Sequence, residues 1–275
     1  ETVKRQDILD FVSALHYGRD GLSKKSPSSL KRHLASAKSF YKFLVRDYHY
    51  ENNPTSHVPL PKQDKKLPDV LSIKQVGDLL DTGFETDDIG LRDKAMLELL
   101  YCCGLRVSEL CGLKLSQLFL EQGYIRVLGK VDKERIVPIG GKALAALEDY
   151  LHNARRNFDV KARESLQKPE GERPGFYAGR GPQMESAVFL NRHGGSLSRQ
   201  SVFKIVRKHG LKIGVNNLHP YTIRHSFATH MLSGGADLRI IQELLGHASI
   251  NTTQIYTDID NSHIQQEYFA AHPRA

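Results

Sequence analysis

Residues 52–68 carry Pro54, Pro59, Pro61 and Pro68 together with Lys62, Lys65 and Lys66. Proline fixes φ and removes a backbone donor, so neither a helix nor a sheet strand runs through such a stretch. The chain must therefore fold as separate bodies on either side of a stiff, basic connection. Ser72-Ile-Lys-Gln75 has the form of a capping box opening the second body. The predicted organisation is a helical domain over residues 1–62, a linker over 63–71 and a second domain over 72–275.

Charge is divided unevenly between these parts. Residues 1–68 hold 13 Lys and Arg against 7 Asp and Glu, which is six of the net eight positive charges in 275 residues. A basic module joined to a nearly balanced one suits a polyanion gripped by the first and worked on by the second. No apolar run of membrane-spanning length occurs, and the polar start has no signal-peptide core. Cys102, Cys103 and Cys111 form neither a disulfide framework nor a Cys-x-x-Cys metal pattern, which fits a reducing cytoplasm.

Apolar spacing predicts helices over residues 6–17, through Ile8, Phe11, Val12 and Leu15, and over 28–48, through Leu30, Leu34, Ala37, Tyr41 and Leu44. On the flank of the second lie Lys31, Lys38, Lys42 and Arg46, within about a quarter of the helix circumference. Like charges in a row cost a free helix stability, and a DNA groove would turn that cost into counterion release. A plain solvated face is the other reading.

In the second domain, a helix over residues 91–103 ends at Gly104, and Arg106 follows with Glu109 three residues on. This is either an ordinary ion pair or a phosphate-binding arginine whose rotamer Glu109 fixes. Residues 123–128 and 134–139 form a predicted hairpin with Lys130 at its tip. A helix spans 142–157, a long polar loop 159–186, a strand 187–190, and a helix 198–209 with Val202, Phe203 and Val206 inward.

The densest chemistry lies between His219 and Tyr256. A helix from Pro220 to Gly234 places Ile223, Phe227, Ala228, Met231 and Leu232 on one arc, with Arg224 in its middle and Tyr221 on the same side. A guanidinium there needs an acceptor: a carboxylate, backbone carbonyls, or a phosphate held by its planar fork of donors. The next helix, over 236–245 with Leu238, Ile241 and Leu245 on its stripe, stops at Gly246, so His247 sits just past a helix end. Ile264, Tyr268 and Phe269 form a last apolar stripe, too short to stand alone, which must dock on its own domain or on a neighbour's.

The segments Tyr221-Thr-Ile-Arg224-His225, Leu244-Leu-Gly-His247, Thr252-Thr-Gln-Ile-Tyr256, Gly104-Leu-Arg106-Val-Ser-Glu109 and Gly129-Lys130 with Lys133-Glu-Arg-Ile-Val-Pro138 occur in this order. Together they resemble the tyrosine site-specific DNA recombinases of the phage integrase family, and within them the Xer group. The resemblance implies a mainly α protein with a small β-sheet: a two-domain DNA clamp, with a helical core-binding domain and a mixed α/β tyrosine-recombinase catalytic domain. Against that family the first domain is short by about a helix, so it reads as truncated at its N-terminus.

The resemblance further implies that Arg106 and Arg224 bind the scissile phosphate. Lys130 is then the general acid, His247 assists proton transfer or binds the phosphate, and Tyr256 attacks to give a 3′-phosphotyrosine. Beside the resemblance, the residue spacing itself assigns Glu109 a supporting role and Lys31, Lys38, Lys42 and Arg46 to DNA binding. No metal, ATP or other cofactor is implied. The implied partners are double-stranded DNA, a tetramer on two sites with itself or a related recombinase through the C-terminal helix, and a DNA-translocase activator, with no membrane. The implied outcome is chromosome-dimer resolution or integration and excision of DNA. One position departs from the family, where His usually stands three residues before the second arginine: here it is Tyr221, with His219 two residues earlier. Tyr221 keeps open an inactive architectural DNA-binding protein, and a type IB topoisomerase-like enzyme would share the same chemistry.

Overall fold

A computed structural model of the chain describes residues 3–60, 70–129, 134–166, 187–246 and 261–275. The chain divides into two compact units, Glu1–Leu67 and Pro68–Ala275.

The first unit is a helical pair. Helix α1 (Arg5–Tyr17) ends at Gly18 in the left-handed conformation, and α2 (Pro27–Tyr48) starts at Ser26, whose hydroxyl accepts from the Ser29 amide, with Pro27 in the first turn. Their shared core is Ile8, Leu34 and Val58, flanked by Leu9, Val12 and Tyr41. Phe11, expected on the buried stripe, is exposed. Only Leu30 and Leu34 of the α2 stripe are fully buried, because α1 is shorter than the helix it packs on. On the flank, Lys31, Lys42 and Arg46 are exposed and Lys38 is half-buried. Arg46 is forked onto Asp47 at 2.8 to 3.2 Å, so the positive row is partly neutralised at that end.

The second unit is mainly helical with a small sheet. Helix α3 (Ile73–Asp81) opens at the expected capping box, Ser72 with Gln75. Helix α4 (Asp88–Cys102) runs through the core and is buried along most of its length. Helix α5 (Val107–Gly112) follows, and then an antiparallel sheet of β1 (Leu118–Phe119), β2 (Tyr124–Leu128) and β3 (Glu134–Pro138). The register pairs Ile125 with Val137 and Val127 with Arg135, so these four side chains share the buried face.

Helix α6 (Gly141–Asp149) passes through a π-helical stretch, Tyr150–Arg155, into α7 (Arg156–Leu166). Residues expected to begin a loop at 159 are thus helical as far as Leu166, held by Arg155 on Asp159 and by buried Phe158. The remainder of that expected loop lies outside the described residues. The strand expected at 187–190 does not form. Ala187 makes a single bridge to Lys114 and Leu190 one to Ser196, too few paired residues for a ladder.

Helix α8 (Arg199–Lys212) buries Val202 and Val206 but leaves Phe203 exposed. Helix α9 (Pro220–Ser233) packs on α4, and α10 (Leu238–Leu245) buries Ile240, Ile241, Leu244 and Leu245 while its expected stripe residue Leu238 is exposed. The last helix, α11 (Asn261–Ala271), docks on its own unit against α9 and β3, with Ile264 and Tyr268 in the core. Arg274 follows it and reaches both Glu98 and Asp81. Among the described residues no helix is long and apolar enough to cross a membrane.

Candidate active site: an arginine cluster on Glu109

The site is assembled from four separate segments of the second unit. Gly104 ends α4 with φ of 55°, in the left-handed region that glycine occupies without steric cost. A side chain there would also collide with Phe227 of α9. That close passage carries Arg106 to the N-cap of α5. Its amide donates to Glu109 Oε2 at 2.7 Å and its Nη1 to Glu109 Oε1 at 2.8 Å, so the carboxylate grips backbone and side chain together. The third donor, Nη2, reaches the carbonyl of Gly246 at 2.9 Å. The Arg106 side chain is 37% exposed, and Glu109 is buried beneath it.

Arg224 lies on α9 among Ile223, Phe227 and Met231, and only 7% of it is exposed. Its Nη1 donates to the Gly104 carbonyl and its Nη2 to the Leu245 carbonyl at 2.6 Å, with Glu109 Oε2 3.9 Å away. Burial, and then the charge of Arg106, bring its pKa down to about 10, which leaves it protonated at neutral pH.

A third guanidinium belongs to the same cluster. Arg135, on the buried face of β3, donates from Nη1 and Nη2 to the two oxygens of Glu109 at 2.9 and 3.0 Å, and from Nε to the Leu244 carbonyl at 2.8 Å. Burial pushes the Glu109 carboxyl up, but hydrogen bonds from Arg135 and then Arg106 outweigh it and hold the group below its ordinary range. In the sequence Arg135 is one basic residue of the Lys133–Pro138 segment and is not among the expected site residues. Strand alternation puts it on the face of Val137, where a charge requires a partner, and that was the available signal.

The three arginines share a second feature. Leu244, Leu245 and Gly246 form the carboxyl end of α10, where backbone carbonyls lack helical partners and the dipole is negative. Each of these carbonyls receives one guanidinium. Oxygen acceptors thus hold all three forks in one place. Against three cations, Glu109 is the one carboxylate within ion-pair distance among the described residues. The cluster carries a net positive charge beside the partly exposed edge of Arg106.

The other candidates are placed unevenly. Tyr221 is not on the buried side with Arg224: it is 66% exposed and stacks on His225, with ring centroids 6.1 Å apart, on the outward side of a first turn whose Pro220, Thr222 and Ile223 are buried. His219 caps the helix start through its backbone and lies beside Phe203. Lys130, His247 and Tyr256 lie outside the described residues. Among the described residues no group of three His, Cys, Asp or Glu side chains could hold a metal ion.

Comparison with known proteins gives this cluster its context. Residues 69–263 match the phage integrase family. The chain belongs to that family of tyrosine recombinases. It is 42% identical over 276 residues to a tyrosine recombinase XerD of Oceanobacillus iheyensis, covering all of this chain and 84% of that protein. The same identity over 276 residues, with the same two coverages, relates it to a tyrosine recombinase XerD of Listeria innocua. Among solved structures, a XerA recombinase is 27% identical with a TM-score of 0.50, covering 99% of this chain and 84% of the other. A XerH recombinase bound to its palindromic difH substrate, in a post-cleavage complex, has a TM-score of 0.65 at 21% identity, covering 96% and 71%. This last likeness is one of fold: a mostly helical recombinase with a small antiparallel sheet.

Proposed function

We propose that the arginine cluster is the phosphate-binding half of a strand-cleaving and rejoining site, and that Tyr256 supplies its nucleophile. The observation that carries this is the convergence of Arg106, Arg135 and Arg224, from three distant segments, on one carboxylate and the carbonyl end of α10. A phosphodiester is an anion, and its five-coordinate transition state approaches a dianion. A site with two guanidiniums in excess of its carboxylate stabilises that gain of charge more than it stabilises the ground state.

Each guanidinium has five N–H donors, more than the two side-chain hydrogen bonds seen for Arg106 and for Arg224 among the described residues. Their remaining donors are offered to the non-bridging oxygens. Attack by the Tyr256 hydroxyl on phosphorus, its proton leaving to solvent, forms the Tyr–O–P bond and breaks the bond to the 5′ oxygen. Lys130 gives that oxygen a proton and His247 assists the transfer. The covalent 3′-phosphotyrosine conserves the ester, so a free 5′-hydroxyl from a second duplex reseals it and releases the phenol. Tyr221 takes the position where the family usually has histidine, and its hydroxyl serves as a hydrogen-bond donor to the phosphate rather than as a base.

The recombinase acts on double-stranded DNA, with Lys31, Lys38, Lys42 and Arg46 of the first unit tracking the backbone. It works in the cytoplasm, as a tetramer on two sites with itself or a related recombinase, toward chromosome-dimer resolution or integration and excision. A DNA-translocase activator completes the assembly. Phe269 on the exposed side of α11 is the surface that helix offers a neighbour while Tyr268 stays in its own core.

Incubation with a nicked suicide duplex should give a protein–DNA adduct that survives SDS, and Tyr256→Phe should abolish it. An undiminished adduct in that variant removes the nucleophile assignment. Relaxation of a supercoiled plasmid without any recombination site would redirect the reading to a topoisomerase.

A further inference from the structure

We infer that Arg135 is a positioning residue for strand cleavage: its two-pronged grip on Glu109 sets the carboxylate that holds Arg106, while its Nε anchors the end of α10 from which the chain runs on to His247. This rests on the phosphate-binding reading above and deepens it. Arg135 does not itself touch DNA, since its side chain is 6% exposed and its fork faces Glu109 and the Leu244 carbonyl.

The geometry makes Glu109 a shared hinge. Oε1 accepts from both Arg106 and Arg135, and Oε2 accepts from the Arg106 amide and from Arg135. Four donors on two oxygens fix the carboxylate plane, and that plane fixes the Arg106 guanidinium. Without Arg135, Glu109 keeps one hydrogen-bonded side chain, Arg106, with Arg224 at 3.9 Å, loses the largest share of the counter-charge that offsets its burial, and can rotate or take up a proton. A protonated Glu109 donates where it formerly accepted, and Arg106 then has no reason to hold its rotamer. The contact is also close-fitting, since a side chain added at Gly246 would meet Arg135 at 3.2 Å.

The test is single-turnover cleavage of the suicide duplex by the full chain, with protein in excess over DNA and the folded fraction counted by circular dichroism. Arg135→Met should slow cleavage by bound, folded protein at least about tenfold near neutral pH, measured at protein concentrations that saturate the duplex. It should also introduce a new acid limb, the rate rising with pH as Glu109 ionises. Glu109→Gln in the same background should remove that limb. Arg135→Lys, which keeps charge but not the fork, should recover only part of the rate. A merely structural role would lower the folded fraction and leave the rate per folded molecule and its pH profile unchanged, and that result overturns the inference.

If the wild type itself forms no adduct, the cleavage reading has failed and a second measurement decides the inference. Carbon-13 NMR of the Glu109 carboxyl should then show its titration at least one pH unit higher in Arg135→Met than in wild type. Where Arg135→Met is too poorly folded to measure, the Arg135→Lys titration decides instead, an upward displacement supporting the inference. An unshifted titration in the variant measured overturns it.

Discussion

Replacing Arg274 with alanine should cost about 3 kcal/mol of stability at pH 7, and less as pH falls. Arg274 is buried, and it donates to Glu98, which is 1% exposed on α4, and to Asp81, which is about half exposed. Losing one partner of a buried pair costs roughly 3 to 5 kcal/mol when the other charge is stranded. Glu98 has an escape, because it can take up a proton. Burial already raises its pKa, against the opposing hydrogen bond from Arg274. Protonating a carboxyl of ordinary pKa near 4.5 costs about 1.4 kcal/mol per pH unit above that value, hence roughly 3 kcal/mol at pH 7 and under about 1 at pH 5.

The sign follows from proton binding. With its pKa raised in the folded state, Glu98 binds more protons folded than unfolded, so stability falls as pH climbs from about 4.5 toward the folded value. Asp81 behaves oppositely, its pKa lowered to about 2 chiefly by Arg274. Its half-exposed pair contributes a modest, solvent-screened stability that is constant above about pH 4 and is lost as pH falls toward 2, so it adds no pH dependence between pH 5 and 7. Urea unfolding followed by circular dichroism at pH 5 and pH 7 measures both effects, and Glu98→Gln in the same background should recover much of the loss at pH 7. A deficit below about 1 kcal/mol at pH 7, or one of equal size at the two pH values, would refute the reasoning.

Other expectations concern the site and the DNA surface. Arg224→Ala should slow single-turnover cleavage by about a hundredfold or more, as removal of a transition-state donor does, while Tyr221→Phe should cost less than about tenfold; quench-flow rates that reverse this order would make Tyr221 the principal ligand. Gly246→Ala, at φ of 61° and against Arg135, should destabilise the protein by about 1 to 2 kcal/mol in urea unfolding, and a neutral result would show that the end of α10 yields freely. Lys38→Glu with Lys42→Glu should make the dependence of log Kd on log salt shallower by about 2, measured by fluorescence anisotropy on a labelled duplex. An unchanged slope places the duplex elsewhere.

Much of this site was legible in the chain because its parts lie at element ends, where sequence signals are sharpest. Gly104 stops α4, Glu109 follows Arg106 by three, Gly246 stops α10 in the left-handed conformation, and Pro220 opens α9. Arg224 announced itself as a charge on an apolar arc. Arg135 was harder to see, since a five-residue strand gives little periodicity and its partner, Glu109, is 26 residues away. The misplaced side chains share a cause. Tyr221, Phe203 and Leu238 sit near the edges of helical stripes, where a small rotation that only tertiary packing sets decides between core and solvent. The strand expected at 187–190 had the composition of a strand but, among the described residues, no partner of matching length.

The central claim is that Arg106 and Arg224 hold the phosphate that Tyr256 attacks. Its most direct measurement is the crystal structure of the protein trapped covalently on a suicide duplex. Phosphorus should be bonded to the Tyr256 oxygen, with both guanidiniums within about 3 Å of non-bridging oxygens. A phosphate esterified to another residue, or either guanidinium still held by the α10 carbonyls and beyond hydrogen-bonding reach, would contradict it.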